Sequence, residues 1–362
     1  MSLNCGIIGL SGTGKTTLFN CLSKSKAQAG YGGGGKTNLG QIEVPDPRLD
    51  RLFEMVKSEK KVPTTVEIAD IPGLMKGSTN QKGGSKFLAD IRQTDALIHV
   101  LRCFDDDTIP HIEGSINPLR DKEIVDLELI FKDMETVEKK LDKFKKASKA
   151  GEKDAIHGAQ ILTALMEHLE NGKRAAIFNI EEQDKKYIDD CFLLTVKPVL
   201  YVCNVDDNSV VNGNEYTRNV ENILKEEDAA MLIIAAQAEA EISELDDPYE
   251  RREFLNDIGI DEPGVNKLVR KAYKLLNLQT FFTIGPKETR AWTIRKGMTA
   301  PQAAGVIHSD LERGFIRAEV IKYNDFIELG SEQACKNAGK CYIEGKNYVV
   351  QEGDMMYVRF NV

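Results

Sequence analysis

The sequence predicts an α/β chain: a mostly parallel sheet with flanking helices, a helical hairpin inserted into it, and a small α+β module at the end. Three observations carry this reading. Short apolar runs alternate with helix-spaced segments through the first hundred residues. Between Leu127 and Phe144 the apolar spacing becomes 3-4-3-4-3. From Leu278 onward short strand-like runs are broken by glycine turns. The expected boundaries are 1–122 with 196–277 for the α/β domain, 123–195 for the insert, and 278–362 for the last module.

The elements follow in order. Asn4–Leu10 is short and apolar, and Lys15–Lys24 carries Leu18, Phe19 and Leu22 at helical spacing. Gly30–Gly40 contains four consecutive glycines, Gly32–Gly35, and reads as a mobile loop. Val66–Ala69 is a strand ending at Asp70, and Ala96–Cys103 is another, ending in the acidic stretch Asp105–Asp107. Leu127, Ile130, Met134, Val137, Leu141 and Phe144 form a heptad seam, and Ile156–Leu169 is a second helical run. With Gly151 as the turn, the two make an antiparallel hairpin. That hairpin is either a lobe packed on its own core or a coiled-coil arm that reaches a partner. Pro198–Cys203 and Met231–Ala236 read as further buried strands. The final module has strands at Phe281–Ile284, Ala318–Ile321, Tyr348–Val350 and Met355–Phe360, with one helix near Ala300–Leu311.

Composition narrows the function. The 362 residues are 41% hydrophobic and 29% charged, which excludes a wholly disordered, collagenous or membrane-embedded chain. The longest apolar stretch, Ala229–Ala236, is far too short to span a bilayer, and no signal peptide is visible. Seven scattered cysteines without a CxxC pair suggest neither a disulfide framework nor a zinc site, and reduced thiols in a cytoplasm fit them. The net charge of −9 argues against general nucleic-acid binding, while local basic faces stay open. From Leu278 on, 11 Lys and Arg stand against 10 Asp and Glu, so the acidity belongs to the first 277 residues.

Gly9-Leu10-Ser11-Gly12-Thr13-Gly14-Lys15-Thr16 matches G-x-x-x-x-G-K-[ST] between a strand and a helix. Such glycines let successive backbone amides turn toward phosphate oxygens, and the helix N-terminus adds a favourable dipole. Ser11, Gly12, Thr13, Gly14, Lys15, Thr16 and Thr17 are therefore expected against a nucleotide. Lys15 faces the β- and γ-phosphates, and the Thr16 hydroxyl ligates Mg²⁺. Asp70-Ile71-Pro72-Gly73 follows a strand, so Asp70 can hold the same ion and the Gly73 amide can sense the γ-phosphate. Leu74 stands where many related hydrolases carry a water-orienting Gln, and an apolar side chain cannot orient water. Asn204-Val205-Asp206-Asp207 lies where a base-reading N-K-x-D belongs, with Val205 in place of the Lys. An Asn/Asp-rich loop after a strand gives the same letters. Ala236 ends the next strand, where such sites close over the base. His111 follows the acidic stretch, and a lone His is more often a packing or surface residue than a catalyst.

With these residues in hand, the chain resembles the YchF/Obg-like ATPase family of translation-factor-class P-loop NTPases. Besides the P-loop, the resemblance runs through Val44–Leu49, Asp70–Gly77, Phe87–Arg92, His99–Phe104 and the His111–Pro118 loop. In the last module it covers Arg290–Ile294, Ala300–His308, Gly314–Val320, Gly339–Lys346 and Arg359–Val362. The resemblance implies a nucleotide-binding domain, an inserted helical domain and a ubiquitin-like TGS domain. It further implies ATP preferred over GTP, slow hydrolysis, and ribosome or ribosomal-RNA association; the motif calls for Mg²⁺, and neither a membrane nor DNA is expected as a partner. It makes His111 the water-positioning group and a second catalytic residue beside Lys15. Three departures stand out. Gly12 replaces an Asn that helps hold potassium in cation-dependent relatives. Thr37 is a displaced counterpart of the switch Thr that ligates Mg²⁺. Asp207 replaces the family's usual Glu.

The expectation is thus a Mg²⁺-dependent ATP-hydrolysing switch whose loops, Gly32–Gly35 and Ser78–Ser85, are ordered by the γ-phosphate. The alternatives are a GTPase on the same scaffold and a nucleotide-sensing scaffold with negligible turnover. In the resting state His111 is expected away from the phosphates.

Overall fold

The computed structural model describes residues 4–23, 37–72, 82–149 and 151–361. The expected switch residues Gly32–Gly35, Gly73, Leu74 and 78–81 lie outside them. In chain order the elements are β1 (Asn4–Ile8), α1 (Lys15–Ser23), β2 (Asn38–Glu43), α2 (Pro47–Val56), β3 (Lys60–Val62), β4 (Thr65–Asp70), α3 (Lys82–Arg92) and β5 (Ala96–Arg102). Then come α4 (Pro118–Ser148), α5 (Lys153–Glu170), β6 (Val199–Asn204), α6 (Glu215–Glu226), β7 (Ala230–Ile234), α7 (Ala236–Glu244), α8 (Pro248–Asp257) and α9 (Gly264–Leu275). The rest are β8 (Leu278–Ile284), β9 (Glu288–Arg295), α10 (Ala300–Ile307), α11 (Ser309–Arg313), β10 (Phe315–Lys322), α12 (Tyr323–Leu329), α13 (Glu332–Asn337), β11 (Cys341–Glu344) and β12 (Asp354–Phe360). Residues 82–85, expected in a loop, form the first turn of α3.

The chain forms two compact units, one of residues 1–40 with 67–268 and one of residues 41–66 with 269–362. The first unit is built on a sheet of order β2-β4-β1-β5-β6-β7. Its β1–β4, β1–β5, β5–β6 and β6–β7 pairs are all parallel. β5 and β6 are buried at every position, so the sheet is covered on both faces and their sequences are nearly continuous apolar runs. The chain steps from β1 to β4 on one side and to β5 on the other. The loops after β1 and β5 therefore flank the topological switch point, where open α/β sheets bind ligands. β7 stops at Ile234, because Ala236 already opens α7.

The inserted hairpin has its own core. Ile130, Val137 and Leu141 of α4 pack on Leu162, Leu165 and Leu169 of α5 and on Ile188 and Leu193 beyond it. The heptad seam thus faces its own lobe rather than projecting as a bare arm. The start of α4 is set locally by Pro118 at the first helical position and by the Asn117 side chain, which accepts the Arg120 N–H. Farther along, buried Asp133 accepts from the Leu194 and Thr195 amides (2.7 and 2.8 Å) and the Thr195 hydroxyl (2.6 Å). These bonds tie α4 to the segment that enters β6.

A second buried carboxylate ties α7 to α9. Glu239 is 2% exposed, and its Oε1 accepts the Gly264 N–H at 2.5 Å. Burial pushes its pKa up to about 7, while the Gly264 and Val265 amides and Lys267 pull the other way. Cys21 of α1 also feels its charge. The folded pKa lies above the unfolded one, so this group's stabilisation is full below about pH 4.5 and is lost as pH rises through about 7. A gap of that size corresponds to roughly 3 kcal/mol. Glu239→Gln should therefore flatten the fall in stability between those pH values and raise stability at pH 8. Urea melts at pH 5 and pH 8 check this; equal shifts at both would show that Glu239 does not titrate in this window.

The second unit holds a sheet of order β11-β10-β12-β8-β9-β3 with helices on both faces. Residues alternate between the two cores: Phe281, Val320 and Met356 face one, and Phe282, Ile321 and Met355 the other. Residues 41–66, expected with the α/β domain, belong here. β3 pairs with β9, and Leu49 and Leu52 of α2 join the core of Phe282 and Phe326. Two local expectations are corrected. Tyr348–Val350 makes a single bridge, Val349 to Thr299, and no strand. The helix expected over Ala300–Leu311 is two helices, because His308 takes an extended conformation (φ −163°, ψ 141°).

Candidate functional site

The loop after β1 turns on glycines that cannot be replaced without cost. Gly9 has φ +142°, and a Cβ there would meet the Val100 carbonyl oxygen at 2.4 Å. Gly14 has φ +92°, and its Cβ would meet Asn204 Nδ2 at 2.3 Å. The tight Gly14–Asn204 approach has a purpose. Asn204, at the end of β6, donates Nδ2–H to the Thr13 carbonyl (3.0 Å) and accepts the Ala236 N–H on Oδ1 (2.9 Å). One side chain thus braces the phosphate loop and the start of α7 together. Val205, also expected at the nucleotide, lies in the core with only 3% exposure, and its N–H goes to the Ile234 carbonyl. Asp207 opens a short 3₁₀ turn capped by Asp206. Burial, Glu241 and Asp206 raise its carboxyl pKa.

Lys15 is 6% exposed, and its ammonium donates to the Leu10 carbonyl at 2.5 Å. Burial lowers its pKa to about 8, with the Asp70 charge opposing. Beside it, Thr16 donates its hydroxyl to Asp70 Oδ2 (3.0 Å), and Asn38 Nδ2 stands 3.5 Å from the same oxygen. Burial raises the Asp70 pKa against these bonds and Lys15. Asp70 Oδ1 is buried with no hydrogen-bond partner among the described residues. Two hard oxygen donors, one of them orphaned, next to a phosphate loop fit Mg²⁺, which takes few protein ligands and completes its shell with phosphate and water. No cluster of three or more His, Cys, Asp or Glu suited to a metal occurs among the described residues. Thr37 does not join the Thr16–Asp70 pair: its hydroxyl is bonded to Asp90.

The β5–α4 loop that carries His111 lies against the phosphate loop. A Cβ on Gly12 (φ +78°) would sit 3.4 Å from Ile109 Cγ2 and 3.7 Å from the Pro110 carbonyl oxygen. The ring itself is held elsewhere: Nε2 is 2.8 Å from Asp121 Oδ2 of α4, and Nδ1 accepts the Glu113 N–H at 3.1 Å. Two residues outside the sequence expectation shape this loop. Asp121 is one. Arg102, the largest fully buried side chain among the described residues, is the other: it donates to the carbonyls of Phe104 (3.2 Å), Asp106 (2.8 Å) and Ile109 (2.8 Å). An Arg closing a mostly apolar strand was the available signal for it, since a buried guanidinium must find several acceptors.

Chemically, the arrangement offers a buried cation bonded to one neutral carbonyl, a glycine-turned loop at a helix N-terminus and a hard-oxygen pair. Such a set of groups has the chemistry to take a nucleoside polyphosphate with a divalent ion.

Comparison with known proteins agrees. A family model described as "50S ribosome-binding GTPase" matches residues 4–142, and a C-terminal model of YchF GTPases, described as a protein of unknown function, matches residues 278–361. The chain is 46% identical over 365 residues to "Ribosome-binding ATPase YchF" of Pasteurella multocida and 45% identical over 367 residues to that of Bacillus subtilis, with full coverage of each chain. Among solved structures it is similar to the YchF GTPase of Schizosaccharomyces pombe, with 33% identity, a TM-score of 0.87, and coverage of 99% of this chain and 98% of that one.

Proposed function

The chain belongs to the YchF family, and we propose that it is a Mg²⁺-dependent switch protein that binds ATP, hydrolyses it slowly and associates with the ribosome. The observation that carries the nucleotide half is the buried Lys15 ammonium, whose one partner in the described structure is a neutral carbonyl, next to the orphaned Asp70 Oδ1. A buried charge of this kind is stabilised by an anion and its counter-ion. Thr16 and Asp70 would hold the Mg²⁺, which when bound neutralises charge developing on the phosphates. The backbone of Ser11 to Thr17 receives the phosphates. His111 orients the attacking water, because Leu74 cannot. Potassium is not needed for this reading: Gly12 lacks the side chain that would hold it. A ribosomal partner goes with a cytoplasmic location, and no helix among the described residues is long and apolar enough to cross a membrane.

ATP over GTP is supported by Val205, which offers no cation to pack on guanine, while Asp207 supplies the acceptor that a GTPase would use. Competition binding of ATP, GTP, ADP and GDP with Mg²⁺ tests this. ATP should bind at least as tightly as GTP; a strong GTP preference that vanishes in Asp207→Ala reverses the assignment. A second reading, a scaffold with negligible turnover, is favoured by the engaged His111 ring. Single-turnover hydrolysis near the uncatalysed background would establish it.

Ribosome contact is expected at basic surfaces. At the hairpin turn Lys143, Lys145, Lys146, Lys149 and Lys153 are exposed. In the second unit Arg295, Lys296 and Arg317 are exposed, whereas Arg313 pairs with Asp310, and Arg290 stacks on Trp292 at 3.9 Å. Contacts to RNA phosphates release counter-ions, so affinity should fall steeply with salt, by roughly a hundredfold or more across a fourfold rise in ionic strength. Reversing the charges of both groups should flatten that slope. Salt-insensitive co-sedimentation with ribosomes, or no effect of the reversals, would refute the assignment.

A further inference from the structure

The His111 ring has no free hydrogen-bonding atom. Nδ1 accepts the Glu113 N–H, so the ring proton sits on Nε2 and is donated to Asp121 Oδ2. A ring bonded in this way offers water neither a lone pair nor an N–H. Both side chains are enclosed, His111 at 4% exposure and Asp121 at 1%. Asp121 is fixed in turn. Its N–H goes to the Asn117 carbonyl (3.0 Å), and its Oδ1 accepts from Arg120 Nε and Nη2 (3.2 and 3.0 Å). The same guanidinium holds the Ser115 carbonyl and hydroxyl. Asp121 also lies in the first turn of α4, where the helix dipole favours its charge. On the other side, Arg102 anchors the loop backbone up to Ile109. Only Pro110 separates that anchor from His111.

We propose that Asp121 is a positioning residue that keeps His111 turned away from the phosphate loop, and that giving up the His111–Asp121 hydrogen bond is the step that sets the slow basal rate. The inference rests on the reading of His111 as the water-orienting group. The opposite role, an Asp that orients a working His from behind, requires the distal nitrogen to face the water. Here that nitrogen faces the loop's own Glu113 amide. Removing the carboxylate leaves the buried Nε2–H without its acceptor and so favours the outward ring. The basal rate then scales with the fraction of unlatched molecules.

The test uses the full chain with saturating ATP and Mg²⁺ in single-turnover hydrolysis, comparing Asp121→Ala, Asp121→Asn, His111→Ala and the Asp121→Ala/His111→Ala double variant. Asp121→Ala should raise the rate roughly three- to thirtyfold with ATP affinity within about twofold. Asp121→Asn, which keeps a neutral acceptor, should raise it less, and the gain should vanish in the double variant. In ¹⁵N spectra of the parent, His111 should show the Nε2–H form with slow proton exchange, and Asp121→Ala should lose that protection. A folded Asp121→Ala at or below the parental rate overturns the latch while leaving a slow His111→Ala, and with it the His111 reading, intact. His111→Ala at the parental rate removes the reading and the latch together. If Asp121→Ala does not fold, Asp121→Asn decides by the same criteria.

Discussion

Lys15→Ala should weaken Mg²⁺–ATP binding by roughly a hundredfold or more while the chain stays folded. The ammonium is almost fully enclosed, and in the described structure it is bonded to one neutral carbonyl, that of Leu10. Burial already lowers its pKa to about 8, so the folded chain without ligand holds this charge at a cost. A triphosphate repays it with two charge-assisted bonds, to the β- and γ-phosphates, each contributing about 1.5–3 kcal/mol. Together these correspond to a factor of about 10² to 10⁴ in affinity. Removing the charge also takes the nearby cation from Asp70, which keeps its hydrogen bond from Thr16, so the fold should tolerate the change. Lys15→Met, which keeps the stem's volume, separates lost charge from lost packing. Calorimetry with ATP and Mg²⁺ reads the effect, and undiminished affinity in both variants would remove the phosphate-loop assignment.

What the sequence made legible follows from where each signal resides. The phosphate loop is a local device: Gly9, Gly14, Lys15 and Thr16 lie within eight residues, and their roles depend on backbone conformation and helix position, both of which short-range patterns encode. The buried strands β5 and β6 were legible for a similar reason, since a parallel strand covered on both faces reads as a nearly continuous apolar run. The hairpin's seam was visible in spacing, but spacing alone could not say whether the seam faced a partner or its own lobe. The packing of Ile188 and Leu193 against it decides that.

Tertiary partners were not legible. Nothing in the neighbourhood of Asn204 announces that its amide spans Thr13 and Ala236, 191 and 32 residues away in sequence. The base-loop pattern drew attention to Asn204 for another reason. Residues 41–66 read as a continuation of the α/β domain because they lie between its strands in sequence. The pairing of β3 with β9 and the burial of Leu49 and Leu52 against Phe282 are long-range facts. His308 broke an expected helix where no Gly or Pro marked a stop. Thr37 was expected as a displaced counterpart of the switch Thr, and the fold gives its hydroxyl to Asp90.

His111→Ala should lower single-turnover ATP hydrolysis by roughly ten- to a thousandfold and leave ATP affinity nearly unchanged. The loop carrying the ring already touches the phosphate loop, with Ile109 and Pro110 packed on Gly12. The ring needs to leave its bonds to Asp121 and Glu113 before either nitrogen can meet water. Arg102 keeps the preceding backbone in place during such a release, since its three carbonyl bonds end at Ile109. A group that meets only the attacking water contributes to the transition state and not to ground-state binding, so the loss should appear in the rate alone. The alternative is that the ring is a structural plug at the start of α4. Its removal would then vacate a buried hydrogen bond to Asp121, lower thermal stability, and leave the hydrolysis rate where it was. Measuring melting temperature, ATP affinity and single-turnover rate on the same preparation separates the two. A rate at the parental value with a lowered melting temperature would make His111 a packing residue and favour the scaffold with negligible turnover. A large rate loss with parental affinity would identify the group that stands in for the side chain Leu74 cannot supply.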